Sequence, residues 1–181
     1  MSPNTGTLMS LYHGWEDHQI SLVRTITRLS GDHLAWRPAP HLRSAGELVS
    51  HLIALRIQWF QGVFGAGSTE SAEQLLACPA ADFLKEQPDE LVKWLEITWQ
   101  LIQDTLNGWT VADLAHTYQL PPYQGKTFLL NRQWIIWHVI AHDLHHGGEL
   151  ALMLGMQGVA LPELGDEGGH LVERVPLAEF A

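Results

Sequence analysis

Cysteine is almost missing from this chain: Cys78 is the only one among 181 residues. No disulfide can form within the chain, which fits a reducing compartment. Cys78 stands just before Pro79 and reads as a small apolar residue of a connector rather than as a thiol ligand or nucleophile. Long apolar runs are also missing. The most apolar stretch, TFLLNRQWIIWHVIA, carries Arg132 and His138 and is too short to span a bilayer. The N-terminal MSPNTGTLMSL has neither the basic start nor the apolar segment of a signal peptide. Positive charge is scarce, with ten Lys and Arg against twenty Asp and Glu; Arg24, Arg28, Arg37, Arg43 and Arg56 are spread out rather than run together, and the net charge is -10 with histidines neutral. An acidic surface of that size repels phosphate backbones and anionic lipid, so neither nucleic acid nor a membrane is an expected partner. Alternating runs, internal repeats and low-complexity tracts are lacking, so no sheet and no solenoid is expected. A soluble cytoplasmic protein is the resulting expectation.

What is present is apolar residues at helical spacing. The apolar fraction is 46%, with eight tryptophans, and the length suits one domain with a sizeable core. Leu11, Trp15, Leu22, Ile26 and Leu29, with His18 on the same face, predict a first helix ending near Ser30-Gly31. LSGDHLAWRPAPHLRS reads as loop. Ser44 and Glu47 fit a capping box that opens a second helix, with a face of Leu48, His51, Leu52, Leu55, Trp59 and Val63. After a polar stretch with a short helix around Ala72 to Ala77, a third helix begins after Pro88, with Asp89 and Glu90 suiting its positive end. Its face is Leu91, Leu95, Thr98, Trp99, Ile102 and Leu106, and it ends near Asn107-Gly108. A connector with a turn-rich LPPYQG precedes a fourth helix from about Leu129 to Leu154, weakened by Gly147-Gly148. The expected fold class is all-α, a four-helix bundle over residues 1–160, followed by an irregular tail over 161–181.

The chemistry concentrates in HVIAHDLHHGGEL, His138 to Leu150, which holds four of the eleven histidines. His142 and His146 lie four apart, so both side chains fall on one helix face with Cβ atoms roughly 6 Å apart. Two buried imidazoles one turn apart are costly without a shared partner, and a first-row metal ion is such a partner. One helix rarely supplies more than two ligands to a tetrahedral centre, so a third must come from elsewhere. His51, on the inward face of the second helix, is the best candidate and His18 the second, although a lone histidine on an apolar face is more often a core residue. Three histidines leave a position open for water or substrate, as catalytic sites do.

Asp143 follows the first histidine of the pair, so HDLHH is similar to the HExxH of zinc peptidases with Asp in the place of the general base. Glu149, one turn beyond His146, is placed either to accept a hydrogen bond from a ligand imidazole or to lie on a solvated face. His138 is a candidate for supporting the site, and His145 for its rim. Trp15, Trp59 and Trp137 either line a substrate pocket or pack the core.

SAGELVSHLIALRIQWF and HVIAHDLHHGGELALMLGMQG together resemble the DinB/YfiT-like superfamily of metalloenzymes, and LAWRP at 34–38 and the closing LGMQG extend the likeness over about residues 8 to 160. The family carries one histidine in its second helix and a pair four apart late in its last, usually followed by Arg-Gly-Gln. The resemblance implies His51, His142 and His146 as ligands and an up-down-down-up bundle, often dimeric, with zinc or nickel. Two positions depart: Gly147 stands where Arg is common, and Glu149 where Gln is common. Members include transferases and isomerases that use bacillithiol or mycothiol, and hydrolase-like proteins. The expected function is a metal-dependent thiol S-transferase or hydrolase acting on a small molecule, with a low-molecular-weight thiol as second cofactor. A zinc peptidase with a third ligand among Glu163, Glu167 and His170 is one alternative, and a non-catalytic metal-binding bundle is another.

Overall fold

In a computed structural model the chain is described over residues 6–67, 86–122 and 124–160. Cys78, the short helix expected around Ala72 to Ala77, the tail over 161–181 and the peptidase ligands Glu163, Glu167 and His170 lie outside the described residues.

The described chain is predominantly helical, as expected of an all-α protein. Helix α1 covers His13–Ile26, α2 Gly31–Ala35, α3 Ala45–Arg56, α4 Pro88–Asn107 and α5 Arg132–Met156. A 3-10 turn at Leu8–Leu11 precedes α1, so Leu11, expected on its apolar face, is exposed instead. The rest of that face is buried: Trp15, His18, Leu22, Ile26 and Leu29. The connector read as loop contains α2. Its N-cap Ser30 accepts from the His33 main-chain N–H, and the His33 ring accepts from the Ser30 N–H.

Helix α3 starts on the expected capping box. Ser44 Oγ accepts from the Glu47 N–H at 3.1 Å, and Glu47 Oε2 accepts from the Ser44 N–H at 2.9 Å. The helix widens into a π-helical segment over Ile57–Val63, which brings Trp59 and Phe60 into the core. Pro88 occupies the first turn of α4, where its missing N–H costs nothing, and Leu91, Leu95, Thr98, Trp99, Ile102 and Leu106 are all buried as their spacing requires.

The expectation of no sheet is corrected. Thr117–Gln119 pairs antiparallel with Leu129–Asn131, Tyr118 opposite Leu130, to form a two-stranded ribbon of β1 and β2. The connection turns at Gln124 and Gly125, both with positive φ, inside the turn-rich stretch. The ribbon takes Leu129 to Asn131 away from the last helix, which starts at Arg132 with Asn131 Oδ1 capping the Trp134 N–H. Arg132 is clamped: its guanidinium lies 3.7 Å from the Trp109 ring centre and donates to the Tyr118 hydroxyl at 2.6 Å. Helix α5 runs through Gly147-Gly148 unbroken.

Helices α3 and α5 pack along their length, with α1 and α4 completing the core. They run antiparallel: His51 meets His146 and His142, while Trp59, two turns further along in the π-helical continuation of α3, meets His138 and Trp134. This antiparallel pair positions the site.

Candidate metal centre

Three imidazoles converge between α3 and α5. His51 Nε2 lies 3.0 Å from His142 Nε2, and His146 Nε2 lies 3.1 Å from the same atom. Each offers one ligand atom within 4.8 Å of the others. His142 and His146 come from one helix face, one turn apart, and His51 comes from across the seam, so the structure brings together the three histidines that the sequence singled out.

The contacts between these nitrogens cannot all be separate two-centre hydrogen bonds. His142 Nε2 carries either one hydrogen or one lone pair, yet it has two ring nitrogens at contact distance. His146 donates from Nδ1 to Glu149 Oε2 at 2.5 Å, so in its neutral form it presents a lone pair at Nε2. One proton cannot serve both contacts, whereas a cation accepting three lone pairs can. Ligand nitrogens about 2.0–2.1 Å from a tetrahedral ion stand roughly 3.3 Å apart, close to the spacing found. The donor set therefore fits a divalent ion.

The electrostatics hold the lone pairs free. Burial, then the neighbouring His146 and His51, push the His142 pKa down to about 4. His51 is lowered by burial, then by Arg43 and His146. His142 is thus neutral, and competent to bind a metal, well into the mildly acidic range, and His51 is shifted in the same direction.

Glu149 is exposed and is at the same time the partner of an imidazole. Burial raises its carboxyl pKa, but the hydrogen bonds and charge interactions with His146 and His145 together hold it below the ordinary value. Its other oxygen lies 3.2 Å from His145 Nε2, and His145 is exposed at the rim. His145, His146 and Glu149 form a second group with donor atoms in reach of one ion, but there His146 offers the Nδ1 already bound to Glu149.

Asp143 is placed elsewhere, which corrects its expected place as general base. Its side chain is 0% exposed, and Oδ2 accepts from Arg56 Nε at 2.9 Å, Arg56 Nη2 at 2.7 Å and Trp15 Nε1 at 2.8 Å. One step along a helix is a 100° turn, and this carries Asp143 from the His142 face into the core. Arg56, also 0% exposed, donates onward to Gln19 Oε1 at 2.7 Å. His18 belongs to this core and not to the cluster. Its Nε2–H donates to the Asp143 carbonyl at 3.1 Å, and its ring lies against Gly147, where a Cβ would come within 2.4 Å of Cε1. A glycine at 147 is what lets α5 approach α1 so closely.

Sequence reasoning missed the aromatic group on the far side of the cluster. His138 stacks on Trp134, with planes 6° apart and centres 5.1 Å apart, meets Trp59 edge-on at 5.2 Å, and lies 6.3 Å from His142. The recurrence of Trp134, His138 and His142 every four residues was the available signal. Of the tryptophans considered for a pocket, Trp15 is core, Trp59 is buried against His138, and Trp137 is exposed on the outer face of α5.

The sequence profile of the DinB superfamily matches residues 15–150, most of the chain and all three histidines. Among solved structures, a DinB-like protein from Bacillus cereus superposes with a TM-score of 0.66 at 16% identity, covering 86% of this chain and 96% of that one. A DinB-like protein from Bacillus subtilis gives 0.55 at 18% identity, covering 81% and 90%. At these identities the likeness speaks for the fold alone. No curated protein matches. Among the described residues no helix is long and apolar enough to cross a membrane.

Proposed function

This chain belongs to the DinB superfamily, and from that premise we propose that it is a metal-dependent enzyme in which His51, His142 and His146 hold one divalent ion, zinc or nickel. The observation that carries the proposal is the meeting of three Nε2 atoms, 3.0 and 3.1 Å apart, in an arrangement where one ring nitrogen would have to serve two partners at once. A divalent ion bound there would supply Lewis acidity, lowering the pKa of a thiol or of water in its open position.

The chain's own residues do the rest. Glu149 fixes the tautomer and direction of His146. The buried Arg56–Asp143 pair ties α3 to α5 beside the cluster, and so fixes how far His51 stands from His142. No side chain is needed as a nucleophile, because such an ion would supply its Lewis acidity to a thiol or a water instead. We assign the reaction to S-transfer from a low-molecular-weight thiol of the bacillithiol or mycothiol type, with hydrolysis of a small molecule as the second reading. The same proposal includes the up-down-down-up helix order, a cytoplasmic location and a homodimer, all resting on the resemblance and on the acidic composition, which also disfavours nucleic-acid and membrane partners.

The test is turnover of electrophilic small molecules by zinc- or nickel-loaded protein, with and without each thiol. Thiol-dependent turnover that disappears in His142→Ala is expected. Metal-dependent hydrolysis without thiol selects the second reading. Metal retained by His51→Ala but lost by His170→Ala would move the assignment to the peptidase alternative, and a centre closed by four protein ligands would make it non-catalytic.

A further inference from the structure

A cavity of about 250 Å³ opens beside the histidines, lined by Pro38, Leu42, Arg43, Leu48, Glu149, Leu152 and Met153. Its place relative to the centre follows from the helices. Leu48 is one turn before His51 on α3, and Glu149 and Met153 are one and two turns after His146 on α5. The walls are therefore continuous with the metal-binding face, on the side opposite Trp59 and His138.

The chemistry of the walls is lopsided. Five of the seven side chains are apolar. Glu149 has its two oxygens turned toward the His146 and His145 rings, at 2.5 and 3.2 Å. Arg43 is exposed and makes no ion pair with another described residue. The loop that carries it is held in place: Arg37 forks over Glu47, with Nη1 2.6 Å from Oε2, and also donates to the Leu42 carbonyl at 2.7 Å. The cation is thus presented by a braced segment at the mouth of an apolar cavity, next to the three imidazoles.

We propose that this cavity is the recognition pocket for a small organic carboxylate, its aliphatic body against Leu42, Leu48, Leu152 and Met153 and its carboxylate on Arg43. The inference rests on the metal-enzyme reading only for the use made of the ligand; binding itself needs Arg43 and the apolar walls. An apolar cavity of about 150 Å³ holds a benzene, so one of this size takes a ligand on the order of ten non-hydrogen atoms. A guanidinium can hold a carboxylate through two parallel hydrogen bonds, which gives the ligand a fixed direction along the pocket.

Hexanoate is the probe, titrated by calorimetry at neutral pH into zinc-loaded and into chelator-stripped protein, with metal content measured on the same samples. Saturable binding is expected. Arg43→Ala should weaken it roughly ten- to hundredfold, the range of a charge-assisted hydrogen bond. The neutral hexanamide should bind the wild type as poorly. Leu152→Trp, a change at a residue 67% exposed and therefore safe for folding, should fill the pocket and abolish binding. No saturable binding to the wild type, equal affinity for the amide, or an Arg43→Ala variant that binds as well as wild type would each overturn the proposal. Binding that depends on Arg43 in protein that takes up no metal would keep this pocket and remove the metal reading. Metal uptake with Arg43-independent hexanoate binding would do the reverse.

Discussion

Asp143→Ala should unfold the protein more readily before it does anything to chemistry. The Asp143 carboxylate and the Arg56 guanidinium have no exposed surface, and Asp143 Oδ2 accepts three hydrogen bonds, two from Arg56 and one from Trp15. Removing the carboxylate leaves a buried guanidinium with only its bond to Gln19. Breaking a buried pair from one side costs about 3–5 kcal/mol, because the remaining charge is stranded. That is a large fraction of the 5–15 kcal/mol by which a domain is usually stable. Arg56→Ala should cost about as much, stranding the carboxylate. The double variant should cost far less than the sum of the two, since neither charge is then left alone. Urea unfolding followed by circular dichroism measures all three. A general base in the same position predicts the opposite pattern, with stability kept and turnover lost. An Asp143→Ala variant within about 1 kcal/mol of wild type, or additive losses in the double variant, would refute the reasoning.

Three further outcomes follow from the geometry. Gly147→Ala gains about 1 kcal/mol of helix propensity but forces a Cβ into the His18 ring, an overpacking worth about 1–3 kcal/mol; a net loss is expected in wild type and a gain in a His18→Ala background, and the same sign in both would contradict the close approach. Metal-free protein should lose stability as pH falls from about 6.5 to about 4. The unfolded His142 takes its proton first, at the ordinary histidine value, while the folded ring resists until about 4. At full weight that shift is worth some 3 kcal/mol, and screening by water at a half-buried ring reduces it to about 1–2; a flat profile across that window would contradict it. Glu149→Ala should weaken metal binding roughly ten- to a hundredfold through the freed His146 ring, read by competition with a chromogenic chelator, and unchanged affinity would count against the Glu149 contact.

The helices were legible because each buries one stripe at a 3.6-residue period. The face of α4 is buried at every expected position, and the Ser44–Glu47 box marks the start of α3 by a signal only four residues long. Helix α2 escaped because its capping partner is His33, a ring nitrogen in the place where the usual signature has a Glu or Gln side chain. The ribbon escaped because three-residue strands are too short to show alternation, and only its turn left a trace in the sequence. The meeting of His51 with His142 and His146 was legible through the spacing of the pair together with the resemblance. Asp143 was misplaced because its partner Arg56 lies 87 residues away, and a local motif such as HDLHH carries no information about a contact at that separation. Gly147 looked like a weak point of the last helix, and its packing against His18 is equally non-local.

The central claim is that His51, from α3, and the α5 pair share one ion. Metal content per chain, measured on untagged protein purified without chelator, tests it most directly with wild type beside His51→Ala. The account predicts about one metal per wild-type chain and its loss in the variant. No metal in the wild type even after reloading with zinc or nickel, or full retention in His51→Ala, would contradict it.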